Sequence, residues 1–267
     1  MNGMKHPWTL TFLLLFAVFF YCGPSAAETS EGLFPTLESR EEFAKDMSSL
    51  VSKAWRRWQD SILVNDVDVE GSYGILRPGG LKGPVLTASS ILSYFDRSGR
   101  PQDYIGCVKA VAEAVESGMR KWQKGYAHRN IPFPQGASCT YTLPPCNNMP
   151  VVVSSGSSPG AKDMSETELY NYMLYRAPRQ EESTLVVLRA SAGAISECFA
   201  RWEDSCSIVG ILASGGIAPQ PAPMGSGPGP VKGAKGNDGK LVGAYFNGKL
   251  MYARMVAYFR KQKTEVR

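Results

Sequence analysis

Four groups of residues have types and spacing that could carry chemistry. Gly156-Ser157-Ser158-Pro159-Gly160 fits the G-x-S-x-G of a nucleophile elbow and follows the apolar Val151–Val153. An elbow needs its helix to begin directly after the serine and its histidine to come later in the chain. Here Pro159 and a Ser165-Glu166-Thr167-Glu168 cap delay the helix to about residue 165, and His128 precedes the serine, so the stretch reads as a Ser/Gly loop. A cysteine nucleophile needs a neighbouring base to form its thiolate. Cys139 with His128 is the pairing that proximity in the chain offers, but His128 sits in the polar turn KGYAHRN and Cys139 lies among prolines.

Asp66-Val67-Asp68-Val69-Glu70-Gly71 imitates the start of a calcium loop, yet the twelfth position, which needs a bidentate Glu, is Arg77. The alternating valines read instead as a strand, with the three carboxylates on one face and Val67 and Val69 on the other. Asp66 and Asp68 could serve as a general acid/base pair only in surroundings that separate their pKa values. Tryptophan supplies the fourth group. Arg56-Arg57-Trp58-Gln59-Asp60-Ser61, Arg120-Lys121-Trp122-Gln123-Lys124-Gly125 and Ala200-Arg201-Trp202-Glu203-Asp204-Ser205 share a basic residue, Trp, then Gln or Glu. Such tryptophans either anchor a core, or stack with Arg57, Arg120 and Arg201 as a binding face for sugars or a partner protein. No phosphate-loop, C-x-x-C or haem-attachment motif is found, so no metal or cofactor is expected.

The elements that must position these residues follow from periodicity. Residues 38–61, 102–124 and about 181–202 are amphipathic helices, each ending near one of the tryptophans. Offsets of 4, 7, 8, 11 and 15 align Phe43 with Tyr104 in the first two. Residues 249–263 add a C-terminal helix and 166–176 a shorter one with an acidic cap. Ile62–Val69 and Val151–Ser154 read as extended. After each tryptophan an extended or irregular stretch leads into a Gly/Pro-rich segment, which gives a degenerate threefold repeat at intervals of 64 and 80 residues. The longest such segment, Ser214–Gly239, holds eight Gly and five Pro in 26 residues and is expected to be a flexible loop.

Residues 1–27 read as an export signal: Lys5, an apolar core from Leu10 to Phe20, and Ser25-Ala26-Ala27 before Glu28. The apolar run from Trp8 to Cys22 is shorter than the ~20 residues of a spanning helix, so no transmembrane segment is expected after cleavage. The mature chain then keeps five of six cysteines: Cys107, Cys139, Cys146, Cys198 and Cys206. An odd number in an oxidising compartment leaves a thiol unpaired or bridging chains, and Cys139–Cys146 is the candidate disulfide. Removing Lys5 and the +5 of residues 249–267 leaves 22 basic against 23 acidic residues, so the body carries no charge excess for nucleic acid.

The expected fold is α+β and mainly helical, with three or four helices on a small sheet and long Gly/Pro-rich loops. Residues 28–267 would form one exported domain, periplasmic or secreted. The functional expectation is a non-enzymatic structural or binding protein with a protein or envelope partner, self-assembly being allowed by the odd cysteine. The alternative is an extracytoplasmic hydrolase using Asp66 and Asp68, or Cys139 with His128.

Overall fold

The computed structural model describes residues 32–71, 73–132, 146–147, 153–154, 156–215 and 231–265. The chain opens with α1 (Leu37–Ser61), begun by a capping box in which Ser39 N–H donates to Thr36 Oγ1 (3.1 Å) and Thr36 N–H to Ser39 Oγ (3.2 Å). A first hairpin follows: β1 (Leu63–Val64) and β2 (Val67–Gly71) go out, β3 (Tyr73–Leu76) and β4 (Leu81–Lys82) return. The connector α2 (Ala88–Leu92) leads to α3 (Gln102–Gly125) and β5 (His128–Pro132). After β6 (Cys146–Asn147) and β7 (Val153–Ser154) come a 3-10 turn (Pro159–Met164) and α4 (Glu166–Arg176), capped by Ser165 as the acidic start predicts. The third passage is α5 (Glu182–Ser205), β8 (Ser207–Val209), β9 (Leu212–Gly215), β10 (Val231–Asn237), β11 (Gly239–Val242) and α6 (Gly248–Glu265).

Long helix, hairpin and connector helix thus occur three times, and their packing closes on itself. α2 packs on α1 and α3, α4 on α3 and α5, and α6 on α5 and α1. The strands do the same. β1 and β2 pair with their own return strands β4 and β3, and with the third hairpin's return strands β11 and β10. β8 and β9 pair with their own β11 and β10, and with β7 and β6 of the second hairpin. β5 pairs with β3 of the first. The result is a five-stranded sheet, order β4-β1-β11-β8-β7, and a six-stranded sheet, order β5-β3-β2-β10-β9-β6. The fold is therefore mainly helical α+β, as the periodicity indicated.

The division into two sheets has a local cause. Asp66 (φ 61°), Asn130 (φ 64°) and Gly210 (φ 73°), each eight residues beyond its tryptophan, adopt left-handed backbone. Aspartate, asparagine and glycine tolerate that region best. At Asp66 and Gly210 the kink separates β1 from β2 and β8 from β9, whereas Asn130 lies within β5, whose pairing with β3 shifts register there. The residue after each kink, Val67, Ile131 or Ile211, is fully buried. Across the first junction Asp66 N–H donates to Asn237 Oδ1 (3.1 Å) and Asp238 N–H to Asn65 Oδ1 (2.8 Å), which locks the first hairpin to the third.

Three expectations are corrected. Ser214–Gly239 is not loop throughout, because its ends lie in β9, β10 and β11. A Cβ on Gly236 would come 2.7 Å from the Ile211 side chain and one on Gly239 equally 2.7 Å, so these glycines allow close packing of strands over the core. The stretch YAHRNIPFP contains β5, paired with β3. Register is the third correction. Counted back from the tryptophans, Phe43 corresponds to buried Cys107 and Val187, so matching Phe43 to Tyr104 is one turn out.

Candidate functional site

The three long helices end at a shared point. Trp58, Trp122 and Trp202 sit four residues beyond Ala54, Gly118 and Cys198, on the stripe that each helix buries. Their ring centroids lie 6.1, 5.7 and 5.1 Å apart, at steep mutual tilts. Each indole N–H donates to the residue after the tryptophan of another helix: Trp58 to Gln123 Oε1 (3.3 Å), Trp122 to Glu203 Oε1 (2.6 Å) and Trp202 to Gln59 Oε1 (2.8 Å). The three hydrogen bonds run in one cyclic direction. The shared Trp-Gln/Glu pair is thus an interlock between helices.

This geometry turns the expected Trp/Arg face inward. The indoles are only 3, 0 and 2 % exposed, while Arg57, Arg120 and Arg201 occupy the outer side of their helices. Arg57 and Arg201 each directly precede a tryptophan, so a helix sends the two side chains about 100° apart. Arg201 pairs with Glu197 (2.8 Å) and Arg120 with Glu116, each one turn back. Among the described residues the cation–π contacts fall on tyrosines.

One ring position differs chemically. Glu203 stands where the other helices place Gln, and burial, which exceeds the opposing effect of the Trp122 hydrogen bond, raises its pKa. A raised folded-state pKa means full stabilisation below the ordinary Glu pKa and loss as pH climbs through the folded value. Glu203→Gln is therefore expected to gain stability relative to the parent as pH rises through the carboxylate range. Urea melts of both proteins from pH 4 to 8 measure this, and a difference that is flat with pH counts against it.

The tryptophan carbonyls show a compensating exchange. Ser61 Oγ donates to Trp58 O (2.7 Å) and Ser205 Oγ to Trp202 O (2.9 Å). In the second passage that helix-end position is Gly125, and Ser158, from the return strand, donates its hydroxyl to Trp122 O instead (2.8 Å). Ser158 is opposite Tyr126 in the place that Gly83 and Gly243 take in the other hairpins. The serine of the G-x-S-x-G stretch is buried and serves this bond. A Cβ at Gly125 would lie 2.8 Å from Ser158 Oγ. Gly125→Ser alone is expected to cost more than Gly125→Ser with Ser158→Ala, with a coupling of about 1 kcal/mol or more in a double-mutant cycle. Additive effects would contradict the equivalence.

Asp66 and Asp68 are solvated, their side chains 60 and 37 % exposed, and each is paired. Asp66 meets Lys82 at 2.9 Å. Hydrogen bonds from Lys235 and then Arg77 hold the Asp68 carboxyl below its ordinary pKa. Both carboxylates face solvent and already have cationic partners, so neither lies in the enclosed surroundings that acid/base work requires. His128 donates Nδ1–H to the Arg129 carbonyl (2.8 Å) at the edge of an open cleft of about 1190 Å³, bordered also by Arg77, Lys121, Lys124 and Lys162. Cys139 and the Cys146 side chain lie outside the described residues. Cys107, Cys198 and Cys206 are buried free thiols, and burial pushes each up to about 12.

The remaining surface feature is the far end of the six-stranded sheet. Because neighbours alternate in direction, outgoing β2, β5 and β9 are mutually parallel and finish at the same end of the sheet. Beside that end β3 leaves Tyr73 59 % and Ile75 42 % exposed, while Leu76 is buried. Comparison with known proteins finds no similarity: no family model, no curated protein and no solved structure matches this chain. Among the described residues no helix is long and apolar enough to cross a membrane.

Proposed function

We propose that this chain is a non-enzymatic structural or binding protein of the cell envelope or exterior, whose threefold core directs three outgoing strands, β2, β5 and β9, toward a partner. The observation that carries this reading is their common direction, together with two large apolar side chains, Tyr73 and Ile75, exposed on the sheet that bears them. Scattered exposed apolar residues are ordinary, but a pair two apart on one strand face forms a contiguous patch at a defined place. The partner is a protein of the envelope or a second copy of the chain. Export follows from residues 1–27, and mass spectrometry of the mature protein is expected to place its N-terminus at Glu28.

Site-specific photocrosslinking in the producing cell tests the reading. A photoreactive residue at Tyr73 is expected to give one discrete adduct, whereas one at Tyr175, 82 % exposed on α4, is expected to give none above background. Identical adducts at the two positions, or an adduct at Tyr175 alone, would contradict it. Size-exclusion chromatography with mass measurement then separates self-association from a second protein.

A further inference from the structure

Along α1, Lys45, Ser49, Ser52, Lys53 and Arg56 recur at spacings of 4, 3, 1 and 3, a polar stripe beside the one the helix buries. With Lys249, Tyr245 and Tyr252, from the start of α6 and the segment before it, this stripe encloses a groove of about 1000 Å³. No residue of the six-stranded sheet or of the tryptophan ring borders the groove. Its rim holds four cations, and no Asp or Glu borders it. Elsewhere on α6 two arginines have acidic partners: Arg254 pairs with Glu197 (2.7 Å) and Arg260 with Glu41 (3.1 Å). Lys45, Lys53 and Lys249 take part in no ion pair among the described residues, and Arg56 lies 4.4 Å over the Tyr245 ring. The carboxylate closest to this set through a hydrogen bond, Asp60, accepts the Tyr245 hydroxyl at 2.9 Å and does not border the groove.

Four like charges in one concavity repel each other, and a fold that keeps them together without counter-charge presents a focused positive potential. Lysine and arginine side chains match phosphate- and sulfate-type oxygens with charge-assisted hydrogen bonds. Four cations exceed what a single such group needs. The Ser49 hydroxyl adds a neutral hydrogen-bonding group, and the face of Tyr252 suits a sugar or planar ring. The volume lies within the ~300–1,000 Å³ typical of small-molecule sites. We propose that this groove binds a small molecule bearing at least two phosphate- or sulfate-ester groups on a ring-containing body.

Calorimetric titration of the mature protein with inorganic pyrophosphate and with a doubly sulfated disaccharide tests the site and separates the two sources of negative charge. Saturable binding of at least one probe is expected, and the tighter of the two names the class. Lys45→Ala with Lys53→Ala, and separately Lys249→Ala, are expected to weaken it at least tenfold. Lys240→Ala, on β11 outside the groove, is expected to leave it within twofold. In the unmodified protein, the bound probe is expected to protect Lys45, Lys53 and Lys249 from amine acylation, a readout independent of the variants. No saturable binding of either probe, an equal loss in Lys240→Ala, or unprotected groove lysines would overturn the site.

Discussion

Trp202→Ala is expected to cost about 3–5 kcal/mol, the range for emptying a large aromatic position in a core. Trp202 is 2 % exposed, with Trp55 at 5.0 Å and Trp122 at 5.1 Å between ring centroids. Its loss leaves a cavity at the point where all three passages meet, and it strips the acceptor Gln59, itself buried, of its donor. Trp202→Phe keeps most of the volume and removes only the donor. It is expected to cost about 1–3 kcal/mol, the desolvation of one unpaired buried polar group. Trp55 provides the internal control, because its buried Nε1 has no hydrogen-bond partner among the described residues. Trp55→Phe leaves no acceptor stranded and should cost less than Trp202→Phe. Urea unfolding followed by far-UV circular dichroism measures all three, and Trp55→Phe proving the more harmful would contradict the role given to the ring.

Gly243→Ala is the second change with a large expected effect. Gly243 has φ 142°, a conformation that L side chains rarely adopt, and a Cβ there would lie 2.5 Å from the Ser205 carbonyl oxygen. That carbonyl belongs to rigid backbone at the end of α5, one residue before Cys206, which is opposite Gly243 in the ladder. Backbone strain of about 1–3 kcal/mol adds to the displacement of β11 from β8, so a loss of roughly 3 kcal/mol or more is expected. Gly83, in the equivalent place of the first hairpin, has φ 125° and would bring a Cβ 2.8 Å from Ser61 O. Gly83→Ala should follow the same direction with a smaller loss. Gly99→Ala, at φ 72° with nothing within 4 Å of its Cβ, carries only the strain of its backbone and should be the mildest of the three. An order reversed between Gly243 and Gly99 would mean that the close approach of strand to helix end is not what limits these positions.

The helices were legible in the sequence because their signals are local. Apolar spacing and the acidic cap at Ser165 placed their starts within a residue or two, while the Thr36 capping box was not read from the sequence. The second and third helices run on past their tryptophans to Gly125 and Ser205. The common Trp-Gln/Glu ends indicated a repeat, yet not what the repeat does. Gln59 lies 143 residues from the indole it accepts, and nothing in either local stretch specifies that partner. The strands were harder to see. β1 and β7 fall inside the stretches Ile62–Val69 and Val151–Ser154 expected to be extended, but β4 and β6, two residues each and at sheet edges, are too short for an alternating pattern and exist because β1 and β9 supply a partner. Glycine-rich β10 read as loop because the sequence shows a missing side chain but not the Val67 and Ile211 side chains that fill its place.

Among the candidate site residues, the sequence left the tryptophans either as core anchors or as a face stacked with arginine, and in the structure they are buried while the arginines turn outward. Asp66 and Asp68 alternate with buried valines as expected, but the cations that neutralise them come from Lys82 on β4, Arg77 just after β3 and Lys235 on β10. The basic groove passed unnoticed for a similar reason. Its α1 stripe looks like any solvated helix face until α6, nearly 200 residues later, brings Lys249 beside it. A count of cations and carboxylates face by face along α1 would have exposed it.

The cyclic interlock is tested most directly by nitrogen-proton spectra of the indole groups in the mature protein and three variants. Gln59→Ala is expected to move the Trp202 indole signal most, Gln123→Ala that of Trp58, and Glu203→Ala that of Trp122. Each variant would thus act on a tryptophan of a different helix. If each instead moves the signal of the tryptophan beside it in the chain, or if no one-to-one pattern emerges, the helices do not close through this ring.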